Sequence, residues 1–164
     1  MTSQSISDLV RNLQSARSPS EAERTRWVLE RALVPNQVLQ PGADELTRLV
    51  TDGLPGASVA GRAESWELLG QLAAGVCGPT AADEQVVRGV IAALKETAVA
   101  ALGRVSSAVP EASDHLAVDV LDALLSVAND GARPEYVAAL RKYAKRGPRE
   151  MRRVGVVLDG PTGE

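Results

Sequence analysis

At 164 residues, with 45% apolar and 24% charged side chains and a formal net charge of −3, the chain is long enough to close a single hydrophobic core without disulfides or metal. Its one cysteine, Cys77, excludes an internal disulfide, and nothing near Met1 has the basic and apolar make-up of a signal peptide, so a cytoplasmic location is the expectation. Charged residues recur too often for the roughly 18 uninterrupted apolar residues of a membrane span, and a palette of Ala, Leu and Val with no Phe, two Trp and two Tyr favours helix packing over sheets.

In chain order, residues 5–16 read as a short helix with Ile6, Leu9, Val10 and Leu13 on one side. Ser18-Pro19-Ser20-Glu21 is a start signal, with Ser18 as cap, Pro19 in the first turn and Glu21 at the capping-box position. The second helix runs to about residue 33, where Pro35 stops it; Ala22, Trp27, Leu29, Ala32 and Leu33 form its apolar face, and Trp27 is its buried anchor. Pro41-Gly42 opens a third helix over residues 43–51, with Leu46, Leu49 and Val50 inward, and residues 52–56 are dense in turn formers and read as a loop.

A fourth helix follows over residues 62–76, with Trp66, Leu69, Leu72, Ala73 and Val76 on one face. Residues 83–107 fit one extended helix, or two joined near Glu96, and one is favoured. Residues 114–146 then spell a helical hairpin. Ala117, Val120, Leu121, Leu124, Leu125 and Ala128 stripe its first arm, Asn129-Asp130-Gly131 turns the chain, and Pro134 starts a second arm striped by Tyr136, Val137, Leu140, Tyr143 and Ala144. Gly147-Pro148 breaks the chain, residues 149–158 suit a last helical turn or two, and residues 159–164 read as a flexible tail. The fold expectation is an all-α domain over residues 1–158, an irregular bundle or short α-solenoid of six to eight helices. Its core is Trp27, Trp66, Val87, Ile91, Leu94, Leu102, Leu121, Leu124, Leu125, Leu140 and Tyr143.

Paired Ala- and Leu-rich helices separated by Pro and Gly turns, such as Trp66-Glu67-Leu68-Leu69-Gly70-Gln71-Leu72-Ala73 and the 116–125 stretch, resemble the HEAT and armadillo class of helical-repeat proteins over residues 62–146. Pro41 and Pro79, and again Pro110 and Pro148, are 38 residues apart, close to the roughly 40-residue period of such repeats. The resemblance implies stacked hairpins and a role in protein binding.

Few residues carry chemistry. His115, Asp119 and Asp122 share a helix face at i, i+4, i+7, a spacing that suits a metal or a shared proton, but a solvated acidic face opposite the apolar stripe is the preferred reading, since no second His exists. Cys77 acts as a nucleophile only if His115 reaches it in space, and a packed thiol is preferred. Gly160-Pro161-Thr162-Gly163 lacks the Lys and the strand-to-helix context of a phosphate loop. With one His and one Cys, no catalytic centre, cofactor or metal is expected.

Charge is unevenly distributed. Residues 1–132 hold ten basic and seventeen acidic side chains, a net of −7, whereas residues 133–153 hold eight basic and two acidic, a net of +6. Arg141, Lys142, Lys145, Arg146, Arg149, Arg152 and Arg153 are therefore the candidate partner-binding residues, facing an acidic protein surface. Nucleic acid is the alternative partner, less favoured because no aromatic residues interleave with these cations for base stacking. The expected function is a non-enzymatic protein-interaction module: an adaptor, an immunity or antitoxin type of partner, or a subunit of a complex.

Overall fold

Serine caps start most of the helices in the N-terminal half. In the computed structural model, which describes residues 5–78, 83–103, 114–128 and 131–159, α1 (Ile6–Gln14) begins where the Ser5 hydroxyl accepts the Asp8 N–H. In α2 (Pro19–Leu33) Ser18 accepts the Glu21 N–H, while the Glu21 carboxylate accepts from the Arg17 N–H at 2.9 Å, one residue further out than an ideal capping box. Helix α3 (Ala43–Gly53) has no side-chain cap; Gly42 takes φ +93° to turn the chain into it. The segment expected as a loop is instead a 3-10 turn, Leu54–Gly56, that continues α3 directly and buries Leu54. Ser58 caps α4 (Val59–Cys77) by accepting the Gly61 N–H.

The rest of the chain adds α5 (Glu84–Gly103), α6 (Asp114–Val127), α7 (Arg133–Ala144) and α8 (Pro148–Asp159). Eight α-helices and no strand are thus present among the described residues, and the domain is all-α. Helix α5 passes through Glu96 without a break; its expected extension over residues 104–107 lies outside the described residues, as does the expected tail apart from Asp159, which is the last residue of α8. Helix α8 is 12 residues long rather than one or two turns. Pro148 suits its first turn, and Val154, Val157 and Leu158 recur on the side that meets the core, so amphipathic packing carries it further than its short sequence suggests.

Each odd helix packs on the next odd helix, α1 on α3, α3 on α5 and α5 on α7, and α2, α4 and α6 stack the same way. Sequential partners pack as well, α1 with α2, α5 with α6 and α7 with α8. The outcome is two layers of helices in which each hairpin rests on its neighbour. Leu13, Leu46, Leu68, Leu69, Leu72, Leu102, Leu121, Leu124 and Leu140 are wholly shielded from solvent, and each contributes on the order of 1.5 to 3 kcal/mol by its burial.

The expected core residues Trp66, Leu94, Leu102, Leu121, Leu124, Leu125, Leu140 and Tyr143 are buried, and Val87 and Ile91 are half-buried against them. Trp27 is not: it is 45% exposed, and Ala32, also expected on the inner face, is exposed too. The inward stripe of α2 is Ala22, Arg26, Leu29 and Leu33, with Arg26 in the register that the hydrophobic pattern assigns to its neighbour. Arg26 can occupy that position because Glu64 of α4 at 2.6 Å and Glu30 at 2.5 Å pair with it. Burial works against its charge, but the hydrogen bonds and charges of the two glutamates outweigh this and hold its pKa above the ordinary value.

Candidate functional site

Helix α7 divides cleanly into two faces. Tyr136, Ala139, Leu140 and Tyr143 point into the core, which leaves Arg133, Pro134, Ala138, Arg141 and Lys142 on the outside. On that outer face Pro134, Val137 and Ala138 form the apolar floor of a shallow depression of about 370 Å3, and Arg133 and Arg141, two turns apart, stand at its ends. Glu135, the acidic residue of the first turn, is drawn to Lys95 of α5 at 2.7 Å. The hydrogen bond to Glu135, then its charge, raise the Lys95 pKa. The outer face therefore keeps its arginines without a competing carboxylate from its own first turn.

The seven basic candidates divide into two sets. Arg141, Lys142 and Lys145 on α7 and its end, with Arg149 and Arg152 on α8, are exposed. Arg152 also donates from Nε to the Pro148 carbonyl at 3.3 Å, a contact within its own helix. Arg146 folds inward, its guanidinium 5.3 Å from the Tyr143 ring centroid and its Nη2 donating to the Leu102 carbonyl at 3.4 Å. Arg153 turns to α6 and donates to both Asp119 oxygens at 3.1 Å. Six of the seven are thus at the surface, one of them, Arg153, paired with α6, while Arg146 folds in against α5. Arg133 is the residue that sequence reasoning passed over, although its eight-residue spacing from Arg141, with Pro134, Val137 and Ala138 between, is the available signal.

The acidic face of α6 does not gather into a metal site. Asp119 is committed to Arg153, and His115 is exposed. Asp122 has a pKa raised by partial burial of its carboxyl and then by the Asp119 charge, the opposite of what a ligand needs. Among the described residues no three His, Cys, Asp or Glu side chains are placed to hold a metal ion.

Cys77 is exposed rather than packed. Its thiol donates to the Ala123 carbonyl at 3.0 Å and lies 3.3 Å from the Ser126 hydroxyl, because α4 ends against the second half of α6. His115 is eight residues before Ala123 on α6, about 12 Å along the axis. The thiol and the imidazole are not a catalytic pair.

A larger cavity of about 530 Å3 lies where the α3 end, the start of α4 and the second half of α5 meet. Trp66, Leu54 and Ala101 give it an apolar side, and Arg62, Glu96 and Thr97 a polar one. Arg62 is half-buried and donates from Nη2 to the Ala57 carbonyl at 3.1 Å. The lining has room for a small polar molecule. No helix among the described residues is long and apolar enough to cross a membrane. Comparison with protein-family models, curated proteins and solved structures finds no significant match.

Proposed function

We propose that this chain is a cytoplasmic, non-enzymatic protein-binding module, a short stack of helical hairpins of the HEAT and armadillo kind that docks an acidic segment of a partner protein on the outer face of α7. The observation that carries the reading is the depression between Arg133 and Arg141, an apolar floor with a cation at each end, beside exposed Arg141, Lys142 and Lys145. An apolar anchor in a shallow pocket, ringed by charges of one sign, is the usual composition of a small recognition surface. Arg149 and Arg152 extend the positive field along α8 and favour encounter with acidic partners.

Nucleic acid is the rival occupant of this field. Against it, both tyrosines of α7 are buried, Tyr136 at 2% and Tyr143 at 4% exposure, so no aromatic face stands among the cations to stack on a base.

The test is a photo-cross-linking side chain at Ala138 in the native host, with and without nuclease, in the wild-type background and with Arg133→Glu and Arg141→Glu combined. The expected result is a single protein cross-linked regardless of nuclease and lost in the double variant. Cross-linked material that disappears with nuclease, or no cross-link to any protein, overturns the reading.

A further inference from the structure

Trp27 lies outside because Arg26 takes its place inside, and the groove beside it has the chemistry of a second docking site. The indole stands with Val28, itself 51% exposed, on the outer face of α2. Its Nε1 is 3.5 Å from the Glu23 carboxylate, a long contact that a better acceptor would replace. Arg31 lies 6.0 Å from the ring centroid and, unlike Arg26, has no carboxylate partner among the described residues.

The chain leaves α2 through a 3-10 turn, Pro35–Gln37, in which Asn36 (φ +52°) and Gln37 (φ +60°) both take the left-handed conformation. Side chains other than glycine adopt it at a steric cost, and two in succession mark a backbone held in place by its surroundings. Asn36 and Gln37 are exposed there, and with Gln71 of α4 they line a groove of about 410 Å3 that also holds Trp27, Val34 and Pro35. Arg31 and Glu30 complete its lining, the Glu30 carboxylate paired with Arg26. None of the three carboxamides has a hydrogen-bond partner among the described residues.

A carboxamide offers a donor pair and an acceptor together, which matches the N–H and C=O groups of an extended peptide; a helix presents neither, having satisfied both internally. The wall of Trp27, Val34 and Pro35 takes one apolar side chain, and Arg31 takes one carboxylate. Helix α2 carries Glu21, Glu23 and Glu30 against Arg24, Arg26 and Arg31, a balance that lacks the net positive field a phosphate backbone requires. We propose that this groove binds an extended segment of a partner protein, with an apolar residue on Trp27 and an acidic residue on Arg31. Helix α2 packs on α1 and α4 whereas α7 packs on α5, α6 and α8, so the two surfaces are separate and this inference does not depend on the α7 reading.

The experiment selects short random peptides displayed on phage against the full-length chain, then titrates the enriched peptide, as a synthetic product, into wild type, Trp27→Ala, Gln71→Ala and Arg31→Glu. Arg133→Glu with Arg141→Glu serves as control, and circular dichroism checks each fold. Peptides pairing an apolar with an acidic residue are expected. Their affinity falls by about tenfold or more in Trp27→Ala and Arg31→Glu, falls less in Gln71→Ala, and is unchanged in the control. No enriched peptide, full affinity in a folded Trp27→Ala variant, or tighter binding of a single-stranded oligothymidylate than of any peptide overturns the proposal.

Discussion

The first four helices and the last two are joined to the bundle by different means. Between α1 and α4 the contacts are specific and run through the backbone: Ser58 donates from its hydroxyl to the Ala16 carbonyl and from its N–H to the Gln14 carbonyl, both at 2.8 Å, and the Gln14 side chain donates to the Val50 carbonyl at 2.9 Å. At Gly61 the approach is so close that a Cβ would sit 2.5 Å from the Leu13 carbonyl oxygen. Helices α7 and α8 are held by apolar packing, by one long hydrogen bond from Arg146 to the Leu102 carbonyl at 3.4 Å, and by the surface pairs of Lys95 with Glu135 and Arg153 with Asp119. Exposed pairs of this kind are worth about 0 to 1 kcal/mol each. The N-terminal half is tied in register through its backbone, and the expected outcome is that the C-terminal hairpin opens first.

The largest expected effect erases the contrast. Leu124 of α6 is fully buried between the two regions, and Leu124→Ala should cost about 2 to 5 kcal/mol, lowering the urea midpoint for both ends together. A cost below ~1 kcal/mol would mean that α6 does not couple them. Next, Gly61→Ala should cost about 1 to 3 kcal/mol, because the facing atom belongs to the backbone and cannot rotate away. A near-neutral result would show that α1 and α4 are free to slide apart, and the contrast would collapse from the other side.

Two smaller effects sharpen the comparison. Arg153→Ala should change global stability by at most about 1 kcal/mol while speeding amide hydrogen exchange in α8 and leaving α1 to α4 untouched. Uniform acceleration would sink the idea of a separately opening end. Asp122 tests the sign of a titration. Its pKa is raised on folding, so the folded chain holds this proton more tightly than the unfolded one and its ionisation works against folding. Asp122→Asn should therefore raise stability near neutral pH slightly, and the gain should vanish below the ordinary carboxylate range, where both side chains are neutral. A gain that persisted in acid would assign it to packing instead.

Local rules were legible where local forces decide. Ser18-Pro19 starts α2, Pro134 starts α7, and the repeat of Ala117, Leu121 and Leu124 marks the buried face of α6, while on α5 Leu94 and Leu102 are buried as expected and Val87 and Ile91 only half so. Trp27 was not legible, because its exposure follows from Arg26 finding Glu64 thirty-eight residues away, a pairing that no periodicity contains. The candidate site divides in the same way. Charge counting locates the basic segment, but Arg146 folds inward and Arg153 pairs at the surface with Asp119 for reasons held on α5 and α6, and the eight-residue spacing of Arg133 from Arg141 gains its meaning once the outer face of α7 is known.

Stacking each hairpin on its neighbour also sets how the chain can reach this state. The principal contacts join helices adjacent or next but one in sequence, apart from the α1 to α4 seam, so most loops close at small entropic cost and relative contact order stays low. Folding then spreads between neighbours, as in other stacked arrays. The seam is the one contact with a longer loop to close, since α2 and α3 lie in sequence between the Gln14 and Leu13 carbonyls and Ser58 and Gly61. Its closure is the costliest of these contacts in chain entropy, and the share of a destabilisation that falls on the folding rate or the unfolding rate in substitutions there will show whether it forms before or after its neighbours.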